Sequence, residues 1–179
     1  MALRTILTYP NPRLQKTAKP ADCFGPELVQ LAEDMVETMR SANGIGLAAP
    51  QIGESIRLIV LEVPEEDETK TPVLYKIANP ELVKKEGNAR IEEGCLSCPH
   101  FYTEVGRAET VTIRGQLLDG SPFSVDADGL TAICFQHEID HLNGKLLVNY
   151  VSVVKRTLYR NEMKKWKTED GTPDRRPAL

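Results

Sequence analysis

The sequence predicts an α+β fold, with short mixed or antiparallel strands packed around a central helix and one further helix at each end of the chain. Three observations carry this. Apolar, β-branched runs of five to nine residues cluster between residues 55 and 126, separated by turn residues. Apolar residues at helical spacing fall into three segments, all outside that block. Strand and helix do not alternate, which argues against a sheet built of β-α units. With 179 residues, 41% of them hydrophobic, one domain with a single core is expected over residues 1–167, followed by a flexible tail at 168–179.

The elements follow in order. Residues 26–43, PELVQLAEDMVETMRSAN, place Leu28, Leu31, Ala32, Met35, Val36 and Met39 on one stripe of a helix. Pro26 fits its first turn and Asn43-Gly44 its stop, with Gly44 expected in the left-handed conformation. SIRLIVLEV (55–63) is apolar enough for a central strand, and the acidic PEEDETKTP (64–72) reads as an exposed loop. Further strands are expected at 74–78, 81–85, 103–107, 110–117 and 122–126, with Asp119-Gly120 marking a hairpin between the last two. Asp128 is a candidate N-cap for the central helix, which should end at Asn143-Gly144. The third helix is expected over about 152–167.

Composition narrows the function. No run of 18 apolar residues exists, and Arg4, Pro10 and Pro12 interrupt the N-terminal segment, so neither a membrane span nor a secretory signal fits; a cytoplasmic protein is expected. The four cysteines are then expected as core residues, ligands or nucleophiles rather than disulfides. The net charge of -4 argues against general affinity for DNA. Yet residues 155–176 carry a local +4 against -8 for the rest, so a basic C-terminal helix could dock on an anionic surface or simply be a solvated face.

The chemistry lies on the central helix. Its buried stripe runs through Leu130, Ile133 and Cys134 and continues at His137 and His141. Residues four apart lie about 40° round the axis and ~6 Å along it, so both imidazoles project toward one point, as a divalent metal requires. Glu138, about 100° from His137, can reach a water at that metal without being a ligand. HEIDH is thus H-E-x-x-H, two imidazole ligands plus a carboxylate general base, and the central helix reads as a metal-binding one. No His or Cys follows His141, so the third ligand is sought upstream, where Cys95 in EEGCLSCPH would complete an S,N,N set with an open position. Cys95 and Cys98 together with the histidines could instead close a structural Cys2His2 zinc site, although 38 residues separate the pairs and Glu138 would then have no task. A metal-dependent endopeptidase is a further reading of the same motif. In NGIGLAAPQIG (43–53) the glycines and small alanines allow close approach to the main chain. Gln51 there offers an N–H that could polarise a carbonyl, while spacing alone leaves it on a surface turn.

Taken together, GIGLAAPQ (44–51), EGCLS (93–97) and QHEIDHLNG (136–144) resemble, in order, the three motifs of the peptide deformylases, and the similarity extends over roughly residues 3–150. The resemblance implies a metal hydrolase that removes the formyl group from N-terminal formylmethionine of nascent peptides, with a C-terminal helix of the bacterial form. It implies Cys95, His137 and His141 as metal ligands, Glu138 as acid/base, and Gln51 with the Leu96 N–H as holders of the oxyanion. It also implies a methionine pocket of Ile45, Ile91, Leu130, Ile133 and Cys134, with Gly46 and Gly94 presenting backbone to an extended peptide. The expected ion is Fe2+, with Zn2+, Ni2+ or Co2+ also compatible with S,N,N donors; the ribosome is a candidate partner for the basic helix. Two positions depart from the family pattern, Cys98 where an aliphatic residue is common and His100 where Gly often stands.

Overall fold

The computed structural model describes residues 2–64 and 71–165. The elements in order are α1 (Pro26–Ser41), β1 (Gly46–Ala48), β2 (Leu58–Glu62), β3 (Leu74–Glu86), β4 (Ala89–Cys95), β5 (Cys98–Arg107), β6 (Thr110–Gln116), β7 (Pro122–Asp128), α2 (Gly129–Leu142) and α3 (Val153–Lys165). Short 3-10 turns at Ala49–Ile52 and Leu147–Tyr150 follow β1 and precede α3. The strands form a five-stranded sheet, β1-β2-β3-β6-β7, and a separate β4-β5 ribbon, all pairs antiparallel. The α+β arrangement around a central helix is as the sequence indicates.

α2 lies across the large sheet. Ala132, Phe135, Ile139 and Leu142 pack on Ile59, Leu61, Ile77 and Ile113, a face that is almost completely dry. α1 buries Ala32, Met35, Val36 and Met39 against Leu58 and Val60 on the other side of β2. β2 therefore has apolar residues on both faces, which is why SIRLIVLEV lacks alternation. A third cluster joins Tyr9, Leu14, Cys98, Phe101, Leu146, Leu147 and Tyr159, and so ties the ribbon to α3. Tyr159 donates to the Pro99 carbonyl at 3.0 Å and packs on Phe101.

Several expectations are corrected. The strands expected at 74–78 and 81–85 are one strand, β3, whose register with β6 shifts between Ala78 and Glu81. Asn79 at the shift has φ 50° and donates to the Ala21 carbonyl at 2.8 Å, so the irregularity serves as a clamp. The helix α1 stops with Asn43, not Gly44, in the left-handed conformation (φ 54°); a Cβ on Gly44 would lie 2.7 Å from the tip of the Leu96 side chain, which would have to shift. Leu130 is 44% exposed rather than part of a buried stripe, and Asp128 caps α2 without a side-chain hydrogen bond. β4 was not anticipated, and β5 begins at Cys98 rather than 103. The tail at 168–179 and most of the acidic loop lie outside the described residues.

Candidate functional site

Three elements converge over the middle of α2. The helix carries His137, Glu138 and His141; the end of β4 carries Cys95; and the 3-10 turn after β1 carries Gln51. β1 crosses α2 closely: a Cβ on Gly46 would stand 2.5 Å from Glu138 Oε1 and 2.8 Å from Cys134 Sγ. Any side chain at that position would displace the carboxylate or the thiol, which is the local reason for Gly46.

Cys95 Sγ lies 3.2 Å from His141 Nε2, which lies 3.2 Å from His137 Nε2. Bonds of ~2.0–2.3 Å at tetrahedral angles place donor atoms roughly 3.3–3.6 Å apart, so the three atoms are spaced to share one ion. They are the group of potential ligands found among the described residues. Cys98 is outside it, buried against Tyr9 and Phe101, so the closed Cys2His2 arrangement does not form. Charge also fits. The Cys98 thiol, donating to Cys95 Sγ, and the two imidazoles hold the Cys95 thiol well below its usual range despite burial. Burial opposes a proton on His137, but Cys95 and Glu93 outweigh it and hold that imidazole well above its usual value. Cys95 is thus biased toward the thiolate, the form in which a cysteine ligates a metal.

Sequence reasoning missed the groups that orient His137. Glu93 Oε2 accepts from His137 Nδ1 at 2.8 Å, leaving Nε2 facing the other two donors. Arg107 grips Glu93 through Nε at 2.7 Å and Nη2 at 3.0 Å, and its Nη1 reaches Asp140 Oδ2 at 2.6 Å. Asp140, the second acid of HEIDH, also accepts from Tyr150 Oη at 2.5 Å. Burial pushes Glu93 upward, yet His137 and Arg107 prevail and hold it below the usual carboxylate range. Ile91, Glu93 and Cys95 share one face of β4, a period-two signal that becomes readable only once 89–95 is known to be a strand.

Glu138 is 3% exposed, and its Oε2 has no hydrogen-bond partner among the described residues. Burial pushes its carboxyl up to about 7, against the pull of both histidines. Gln51 is buried, not on a surface turn: its Oε1 accepts from Ala48 N at 2.7 Å, which aims Nε2 at Ser97 Oγ (3.2 Å) and Cys95 Sγ (3.8 Å). These groups open on a cavity of about 340 Å³. Its walls include Ile45, Gly46, Ile91, Gly94, Leu130, Ile133 and Cys134, together with Leu96 and His100, so every residue expected in the pocket is brought to it. A partly apolar cleft with a few convergent polar atoms at its base is the form of a small-ligand site.

The family profile described as polypeptide deformylase matches residues 3–157. The peptide deformylase of Chromobacterium violaceum is 47% identical over 165 residues, which are 92% of this chain and 96% of that protein. Among solved structures, a peptide deformylase from Legionella pneumophila superposes with a TM-score of 0.84 at 46% identity, covering 93% of this chain and 96% of the other. One from Ehrlichia chaffeensis in complex with actinonin gives 0.87 at 34% identity, covering 92% and 98%.

Proposed function

The chain belongs to the polypeptide deformylase family and removes the formyl group from the N-terminal methionine of newly made polypeptides; from that premise we propose how its residues divide the work. Cys95, His137 and His141 hold the single metal ion that the family implies, and the ion is Fe2+. Bound there, the ion would supply Lewis acidity to the reaction. Glu138 takes a proton from the attacking water as its oxygen bonds to the formyl carbon. Gln51 Nε2 and the Leu96 N–H donate to the oxygen that becomes negative, each contribution being worth ~3 kcal/mol. Glu138 then returns the proton to the amine nitrogen as the carbon–nitrogen bond breaks, giving formate and a free methionine amino group. Ile45, Ile91, Leu130, Ile133 and Cys134 take the methionine side chain, while backbone at Gly46 and Gly94 holds the peptide extended.

The observation that carries this reading is the Glu138 carboxylate oxygen, buried and unpaired at the base of the cleft beside three converging ligand atoms. An anaerobic assay with formyl-Met peptides and parallel metal analysis tests it. One formate per peptide should appear with the peptide intact and one ion per chain. Cleavage of internal bonds, or no formate from fully loaded protein, would overturn it.

No helix among the described residues is long and apolar enough to cross a membrane, and we place the enzyme in the cytoplasm, where nascent chains emerge. α3 is proposed to dock on the ribosome. Arg160, Lys164 and Lys165 are exposed on it, beside Val153, Val154 and Leu158 at 65–69% exposure. Tyr159 on the same helix is buried, so cutting the chain before α3 would also damage the core. Reversing the charge at Arg160, Lys164 and Lys165 together should abolish co-sedimentation with ribosomes at low salt and leave formate release from short peptides unchanged. Ribosome binding equal to wild type would remove the idea.

A further inference from the structure

Cys98 lines the cleft, yet deformylation gives it no task. It sits directly across the two-residue Leu96-Ser97 turn from Cys95, as its Cα partner at the end of the β4-β5 ladder. Cα atoms of directly opposed antiparallel residues lie about 4.5–5.5 Å apart, inside the roughly 4.4–6.8 Å window in which a disulfide closes without backbone movement. Cys95 also packs against the apolar cluster that contains Cys98. Of the other two cysteines, Cys23 is exposed and Cys134 is buried with its thiol on the Ile45 carbonyl at 3.7 Å. Filling the apolar cluster would need only a small hydrophobe at 98; a second thiol directly opposite the first on the ladder is a different chemistry.

We propose that Cys95 and Cys98 form a reversible dithiol–disulfide site that reacts with hydroperoxides entering through the cleft, Cys98 acting as the resolving thiol. The Cys95 sulfur attacks one peroxide oxygen: an S–O bond forms, the O–O bond breaks, and the leaving oxygen takes a proton to depart as water or alcohol. Cys98 Sγ then attacks the Cys95 sulfur: the S–S bond forms, the S–O bond breaks, and hydroxide leaves with the Cys98 proton as water. Two thiols lose two electrons and the peroxide gains them. The intramolecular second step competes with further oxidation of Cys95 to sulfinic acid, which thiols do not reverse. Resting on the reading of Cys95 as a metal ligand, the disulfide withdraws one of three donors and releases the ion.

The test uses the holoenzyme loaded with zinc, so that no metal oxidation intervenes. After brief hydrogen peroxide treatment and alkylation, intact mass and peptide mapping should show a protein two hydrogens lighter with Cys95 and Cys98 joined. Zinc should be freed to a chromogenic chelator, and a dithiol plus zinc should restore both mass and metal. In Cys98→Val the same treatment should leave Cys95 two or three oxygens heavier, with zinc loss that a dithiol does not reverse. Over-oxidised Cys95 and no 95–98 linkage in the wild type would overturn the proposal. A 95–98 disulfide formed with zinc still bound would support the couple and instead remove Cys95 from the ligand set.

Discussion

Glu138→Ala should retain one metal ion per chain while losing about 10²–10⁴-fold in kcat, the usual contribution of a positioned general base. The separation of the two readouts follows from geometry. Glu138 sits on α2 between the two histidines but outside the cluster of ligand atoms, and its Oε2 is partnered by no described residue. Its loss therefore removes a proton carrier and not a ligand. The same variant should change pH behaviour in two ways. Burial raises the carboxyl to about 7, and a bound cation pulls it back down. The ionised form is the base, so activity of the wild type should rise with pH along a limb at or below that value, and the limb should vanish in the variant. For the metal-free protein the sign of the stability effect is opposite. A carboxyl with a folded value above its ordinary 4.5 contributes stability at low pH that is lost as pH rises through about 7. Glu138→Ala should not show that decline. Anaerobic formate release, metal content and urea unfolding across this range check these expectations; a variant with near wild-type turnover and full metal would sink the role.

The central helix was legible because a 3.6-residue period is a local property: His137 and His141 fall on the same stripe whatever surrounds them. The lack of His or Cys after His141 sent the search upstream to Cys95 and Cys98, and the resemblance singled out Cys95. β4 was illegible for the opposite reason. ARIEEGC has little apolar or β-branched content and becomes a strand only through pairing with β5, a tertiary effect that propensity does not contain. With β4 unseen, Glu93 had no face to be placed on, and Arg107 no partner. Gln51 illustrates the same limit: a polar residue in a Gly- and Ala-rich turn reads as exposed, and its burial depends on the ribbon folding over it. Leu130 errs the other way, because the first turn of α2 overhangs the cleft and its leucine remains half open to whatever enters.

Arg107→Met should weaken metal binding by about 10–100-fold, the usual cost of removing a partner that orients a ligating imidazole. It should also destabilise the fold by roughly 3–5 kcal/mol, because it strands a buried opposite charge. The effect runs through Glu93. The arginine and glutamate side chains are only 5% and 7% exposed, and the guanidinium fork joins the His137 imidazole in keeping Glu93 ionised against burial. Without it the Glu93 carboxyl rises, takes up a proton, and no longer fixes His137 with Nε2 toward Cys95. The wild-type depression of Glu93 contributes stability present above its unfolded value and lost only as pH falls through the lower folded one. Arg107→Met should forfeit it and begin to unfold at higher pH on acidification. Arg107→Lys should not rescue metal affinity, since one ammonium cannot span both Glu93 oxygens and Asp140 Oδ2. Tyr150→Phe, which removes the hydroxyl that donates to Asp140 and accepts from Arg107 Nη1 at 3.3 Å, should cost about 1–2 kcal/mol and leave the metal in place. Chelator competition and pH-dependent unfolding measure these effects, and unchanged metal affinity in Arg107→Met would dismiss the positioning role. The decisive comparison is with Glu93→Gln: if Arg107 acts through Glu93, the double variant should lose far less metal affinity than the two single losses combined.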